Sequence, residues 1–243
     1  MELGKSKLIN TINGKKTLDF NIRPNTTDIK VIKEVINSNV YQRKNIKIEK
    51  EDIWLDLGGN IGTFSVLVMS QGSKFYSYEP EPENFKILKS NIELNKKIFK
   101  GQGEIYEQGV SIKSGIVKLY LCKGDINKYR HTIIKRRGRK SIDIRVITLN
   151  EILKKHKDIN SIKMDIEGIE IDILENFNDW DKYKIKKLVF EYSFDFDRSI
   201  KRFYNIIESL KPYFSIINFS KKVDKNKLEY NYFPAAVNVY CTK

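Results

Sequence analysis

"IWLDLGGNIGTFSVLVMSQGSKFYSYEPEPENF", residues 53–85, decides the fold. An apolar run broken by Asp56 meets a glycine-rich turn and resumes as "TFSVLVMSQG", long enough for a helix. "KFYSYE" reads as a second strand. "PEPENFKILKSNIELNKK" reads as a second helix, with Pro80 and Glu81 in its first turn, where a fixed φ and a negative charge are favoured. Strand, turn, helix and strand in that order open a mainly parallel sheet. Ligands of such sheets sit beyond the carboxyl ends of the strands, and Asp56 and Glu79 fall at two of those ends.

The same alternation continues downstream. A third strand is expected near residues 104–110, and "IVKLYL" and "IDIRVI" flank a basic segment. "TLNEILKKH" is a short helix in which Thr148 and Glu151 have capping-box spacing. "INSIKMDI" and "KKLVFEYS" are nearly continuous apolar runs, as strands covered on both faces should be. A helix, "SIKRFYNIIESLKPY", and two further strands, "FSIINFS" and "PAAVNVYCTK", follow. Upstream, "KTLDFNIR" and "TDIKVIKEVINSN" predict a strand and a helix in an N-terminal extension over 1–50. The expected organisation is one domain over 1–243, with a catalytic core over 51–243 and a basic insertion over 123–140.

With 40% hydrophobic residues, the 243-residue chain can bury a full core. It contains no run of roughly 18 apolar residues to span a bilayer and no signal-peptide core at its start, so a cytoplasmic protein is expected, in a host's cytoplasm if the genome is viral. Cys122 and Cys241 lack metal-ligand spacing and read as reduced thiols. The net charge of +14 suggests a polyanionic partner, but the abundance of Lys, Ile and Asn is also the usage of an AT-rich genome. Locally, "KYRHTIIKRRGRK", residues 128–140, rises above that background.

Gly58, Gly59 and Gly62 permit a sharp turn and close approach of a ligand. Glu79 follows Gly58 by about 20 residues, the spacing of a carboxylate that holds ribose hydroxyls. A dinucleotide fingerprint would be G-x-G-x-x-G with a pyrophosphate on the helix N-terminus. Here the run is D-L-G-G-N-I-G, and an acidic residue before the turn suits a cationic amino-acid ligand better than a pyrophosphate. S-adenosylmethionine, with its ammonium and sulfonium groups, meets that description.

Farther on, "IKMDIEGIEIDILEN", residues 162–176, ends a strand with Asp165, adds Glu167 and turns at Gly168. With "DLGGNIGTFS", "YEPEPENF" and "GVS", it resembles the FkbM family of S-adenosylmethionine-dependent methyltransferases over about residues 28–195. The resemblance implies a Rossmann-like α/β fold: a seven-stranded, mostly parallel sheet with its last strand antiparallel and helices on both faces. It implies that Asp56, Gly58, Gly59, Asn60 and Gly62 lie beneath the methionine moiety. Glu79 would bind the ribose, with Pro80 shaping the turn; Gln108, Gly109 and Val110 would lie near the adenine. Asp165 would face the methyl group or the acceptor. Gly59 stands where alanine is common in the family, and "EYS" replaces a strand end that often carries histidine after glutamate.

Methyl transfer from a sulfonium is an in-line displacement, so alignment of the acceptor supplies much of the acceleration. An unactivated hydroxyl also needs a base. Asp165 is the first candidate, followed by Glu191 and His131, while His156 is expected at the surface. Glu167, Arg130 and Arg136 are candidate acceptor contacts, the arginines because a guanidinium forks onto phosphate. Asp165, Glu167 and Glu191 are also oxygen donors of the kind Mg²⁺ uses, although no metal is expected. The reading is a sugar O-methyltransferase acting on a glycan or nucleotide sugar. The alternatives are an RNA 2′-O-methyltransferase, disfavoured because Glu191 stands where a second catalytic lysine belongs, and an inactive binding module of the same fold.

Overall fold

The computed structural model describes residues 7–10, 16–122, 130–231 and 235–243. The central sheet contains β3 (Ile53–Leu57), β4 (Lys74–Tyr78), β5 (Gly103–Tyr106), β9 (Ser161–Met164), β10 (Lys187–Ser193), β11 (Ile216–Phe219) and β12 (Ala236–Thr242). Its seven strands run in the order β11-β12-β10-β9-β3-β4-β5. All neighbours from β5 to β10 are parallel, and β12 is antiparallel to both β10 and β11. The chain steps outward from β3 to β5, then returns to β9 on the other side of β3. The crevice between the carboxyl ends of β3 and β9 is therefore the topological switch point, where this architecture binds ligands.

The inner strands bury both faces while the edge strands β5 and β11 stay partly exposed, and two cores result. Leu55 and Leu57 of β3 join Ile162, Met164 and Phe190 beneath α4 (Leu149–Lys155), α5 (Glu170–Asn176) and α6 (Ile200–Leu210). Trp54 points the other way, into the core formed with α1 (Asp28–Ile36), α2 (Thr63–Ser70) and α3 (Pro82–Lys96). All eight residues of α2 are buried, which explains why its sequence is apolar all round rather than striped. In α4, Thr148 and Glu151 form the expected capping box.

A small side sheet, in the order β6-β8-β7, contains β6 (Gly109–Val110), β7 (Gly115–Tyr120) and β8 (Ser141–Ile147). The third strand expected over 104–110 is thus divided. The chain leaves the main sheet after Tyr106, where Glu107 and Gln108 interrupt the apolar pattern, and Gly109 and Val110 pair instead with Val146 and Ile147. The helix expected from Pro80 starts later, because Glu81 is its N-cap, accepting from the Asn84 amide at 2.7 Å, and Pro82 takes the first helical position. His156, expected at the surface, is 7% exposed. It caps α4 and stacks on Tyr76 at 3.8 Å, because the neighbouring strands present aromatic faces there.

The extension adds β1 (Lys7–Asn10) and β2 (Thr17–Phe20), an antiparallel pair, ahead of α1. Two asparagines one turn apart on α3 hold its backbone. Asn91 Oδ1 accepts from the Asn21 amide at 2.7 Å and Asn95 Oδ1 from the Asp19 amide at 3.2 Å. Their Nδ2 groups donate back to the Asn21 and Asp19 carbonyls, and Asn91 also donates to the Ile61 carbonyl in the glycine turn. Arg23 is buried, forks onto Asp28 and donates to Asn84 Oδ1 at 2.8 Å.

Candidate active site

A cavity of about 420 Å³ opens at the switch point. Its floor is the turn after β3. Gly58 has φ +80°, and a Cβ there would lie 1.9 Å from the Asp165 carbonyl oxygen, so the two strand ends meet at a spacing that requires glycine. At Gly59 a Cβ would meet Ser77 Oγ at 2.3 Å and Leu88 Cδ1 at 2.6 Å; the glycine in place of the family's alanine matches these neighbours. Gly58 and Gly59 both donate to the Tyr78 carbonyl, tying the turn to β4.

Asn60, at φ 50°, turns its amide onto Glu79 Oε2 at 2.8 Å. The Glu81 amide donates to Oε1 at 3.0 Å, with Asn84 Nδ2 at 3.4 Å. Glu79 is held in one orientation at the cavity wall. Burial pushes its pKa up to about 7, a rise the Glu81 and Asn60 amides oppose. Pro80, Gly109 and Val110 line the same wall. Gln108 does not; it is half-buried in the link between the two sheets.

Two residues of the glycine motif lie beneath the cavity rather than in it. Gly62 packs under Leu88. Asp56 is fully buried, accepts from Ser65 Oγ at 2.6 Å and pairs with Lys163 Nζ at 3.1 Å. Lys163 also donates to the carbonyls of Gly58, at 2.7 Å, and Leu57, at 3.2 Å. The aspartate supports the turn through that lysine, since an uncompensated charge at this depth would be costly. Sequence reading missed Lys163, whose only signal is a lysine inside the apolar run "SIKM".

At the end of β9, Asp165 lines the cavity and accepts the Tyr41 hydroxyl at 2.5 Å. Tyr41 comes from the extension, stands edge-on to Phe64 and has its pKa raised, chiefly by burial and then by Asp165. Glu167 and Glu191 line the same end, and both are pushed well above the ordinary carboxylate range, first by burial and then by Asp165. Thr63, at the head of α2, lines the cavity with its hydroxyl oxygen buried and without a hydrogen-bond partner among the described residues. It makes no capping bond, the only hint that its hydroxyl serves a ligand. No group of three or more His, Cys, Asp or Glu among the described residues is arranged to hold a metal ion.

The basic segment behaves differently from its sequence reading. Arg130 lines the cavity, but its guanidinium pairs with Asp195 at 2.8 Å and approaches Glu167 at 3.8 Å. Arg136 lies outside the cavity wall, stacked on Phe196 at 4.3 Å. Arg130 thus commits its guanidinium to carboxylates beside the cavity, while Arg136 rests on an aromatic ring with its Nε buried and without a hydrogen-bond partner among the described residues. His131 lines the cavity, with Nδ1 accepting the Cys122 amide at 3.0 Å, which leaves the neutral ring's proton on Nε2 and removes its basic nitrogen from the cavity. Residues 123–129 of the expected insertion lie outside the described residues. Cys122 and Cys241 are free thiols.

A parallel sheet reversed at β3 and β9, closed by an antiparallel β12 and carrying a fixed carboxylate at the end of β4, defines a Rossmann-like methyltransferase. The family model described as the methyltransferase FkbM domain matches residues 56–218, and the chain belongs to that family. It is an S-adenosylmethionine-dependent methyltransferase, with S-adenosylmethionine as its cofactor. A search of curated proteins returns no match. Among solved structures, a Pyrococcus abyssi tRNA (uracil-54, C5)-methyltransferase in complex with S-adenosyl-L-homocysteine is 12% identical, with a TM-score of 0.48. That match covers 99% of this chain and 45% of the other, so the chain spans less than half that enzyme's length. A S-adenosylmethionine-dependent methyltransferase from Agrobacterium tumefaciens is 9% identical over 100% of this chain and 71% of that one, with a TM-score of 0.49. No helix of the described residues is long and apolar enough to cross a membrane.

Proposed function

We propose that the protein is an O-methyltransferase whose acceptor is a hydroxyl of a sugar, in a glycan or a nucleotide sugar. The observation that carries this reading is the Asp165 carboxylate at the switch point, oriented by Tyr41 and flanked by Glu191. A hydroxyl loses its proton only at a very high pH in water, so its methylation needs a fixed base, worth about 10²–10⁴-fold. Asp165 has that position, with Tyr41 as its positioning residue.

The cofactor supplies an electrophilic methyl group on a sulfonium. In this assignment Glu79 holds the ribose hydroxyls, the Asn60–Thr63 turn holds the amino-acid end, and Gly109 and Val110 pack on the adenine. The cavity volume falls within the usual range for ligand sites, roughly 300–1,000 Å³, and the buried Thr63 hydroxyl gains a partner when a polar ligand fills it. The formal charge of +14 favours RNA as acceptor. Against RNA, Lys163 is committed to Asp56 and the turn carbonyls, and Glu191 occupies the end of β10, where a lysine would be needed.

The test is radiolabelled methyl transfer to a panel of glycans, nucleotide sugars and RNA, with wild type and Asp165→Asn. Transfer to a sugar with turnover reduced at least about 100-fold in the variant, and S-adenosylhomocysteine binding retained, is expected. Transfer to RNA alone, or full activity of the variant, contradicts the assignment.

A further inference from the structure

One feature of the cavity is not accounted for by cofactor or base. On the antiparallel ladder of β10 and β12, Asn238 stands directly opposite Glu191, so the two side chains share one face of the sheet. Both line the cavity at the end that holds Asp165. Neither side chain has a hydrogen-bond or ion-pair partner among the described residues, and the Asn238 carboxamide oxygen is buried. Leaving such an oxygen unsatisfied is unfavourable, so the pair is suited to being completed by a ligand.

The chemistry of the pair limits what that is. A carboxamide both donates and accepts, and a carboxyl group beside it adds a second anchor. Two neighbouring hydroxyls, each a donor and an acceptor, satisfy both. An anionic group is poorly served: Arg130 is taken by Asp195 and Glu167, Lys163 by Asp56, and Lys30 lies exposed at the mouth. Asp165, Glu167 and Glu191 face the same space. A cation is also poorly served, because burial holds Glu167 and Glu191 toward their neutral form. We infer that Glu191 and Asn238 form the acceptor subsite, which binds two adjacent hydroxyls of an uncharged sugar. The inference rests on the sugar O-methyltransferase reading and narrows it, since it disfavours acceptors charged near the reacting hydroxyl.

The experiment is saturation-transfer NMR on the full chain loaded with S-adenosylhomocysteine. The probes are methyl α-D-mannopyranoside as a neutral polyol, glucose 6-phosphate as an anion and glucosamine as a cation. The neutral glycoside is expected to bind about tenfold or more tightly than either charged probe. Asn238→Leu is expected to weaken it about fivefold or more, the loss of one or two hydrogen bonds, with S-adenosylhomocysteine affinity unchanged. Asn238→Ser, smaller and still polar, provides a second variant if the leucine disturbs the sheet, and is expected to lose less than the leucine. Preferred binding of a charged probe, unaltered binding in both variants, or binding of no probe overturns the inference. Methyl transfer to a phosphorylated sugar sinks the inference alone, whereas failure to bind S-adenosylhomocysteine or transfer only to RNA sinks the reading beneath it.

Discussion

Glu79 carries two kinds of donor already and still faces the cavity, so its charge state governs what else it can accept. With a pKa near 7, it is mostly a carboxylate at about pH 8 and mostly protonated at about pH 6. If, as proposed, ribose hydroxyls donate to this carboxylate, S-adenosylhomocysteine affinity is expected to fall roughly tenfold as pH drops across that interval. Glu79→Gln should flatten the profile. Glu79→Ala should weaken binding by about 10–100-fold, the loss of charge-assisted hydrogen bonds. Titration calorimetry across pH checks both, and a flat wild-type profile would remove Glu79 from the ribose site. Glu79 was legible because its partner turn lies close in sequence. Tyr41 was not, since it meets Asp165 across 124 positions; nor were Thr63 and Asn238, whose significance is a missing bond rather than a motif.

Among the elements, the extension does more than cover the core. Arg23 joins Asp28 to Asn84, and Asn84 reaches Glu79, so the chain before α1 braces the Glu79 carboxyl group. Breaking a buried pair by removing one partner costs about 3–5 kcal/mol. Arg23→Met should lower the unfolding free energy read from urea melts by that order, and Arg23→Met with Asp28→Leu should recover much of it, because no charge is then left unpaired. Equal loss in both variants would show that packing, not charge, holds the extension. The strands and helices of the core were readable from apolar runs, which report burial directly. The division of the third strand and the burial of His156 were not, because each depends on a neighbour supplied by a different part of the chain: Val146 and Ile147 for Gly109 and Val110, Tyr76 for His156.

At the scale of the whole molecule, a basic protein encloses a cavity rich in carboxyl groups that burial holds toward their neutral form, so the net charge does not describe the site. On the proposed reading, +14 therefore describes the outer surface rather than the acceptor site. Burial raises Glu79 to about 7 and Glu170 to about 8, with Glu167 and Glu191 also well above their ordinary value. The folded state thus holds protons that the unfolded chain has released. The stability they contribute is fully present below about pH 4.5 and is lost as pH rises through about 7–8. Thermal melts of the cofactor-free protein at fixed ionic strength should therefore show a falling Tm from about pH 6 to about pH 8.5. A rising Tm over that range would mean that these carboxyls are ionised in the fold.

Asn91 and Asn95 trade hydrogen bonds with Asp19 and Asn21 as a neighbouring strand would, yet they stand one helical turn apart. Their spacing exists only once α3 has wound. The pairing of β1 and β2, marginal alone as any two-stranded ribbon is, gains these fastenings only on that helix. Though β2 precedes α3 in the chain, it is fastened by that helix, so its docking, and with it the brace on Glu79, is expected to be lost wherever α3 unwinds.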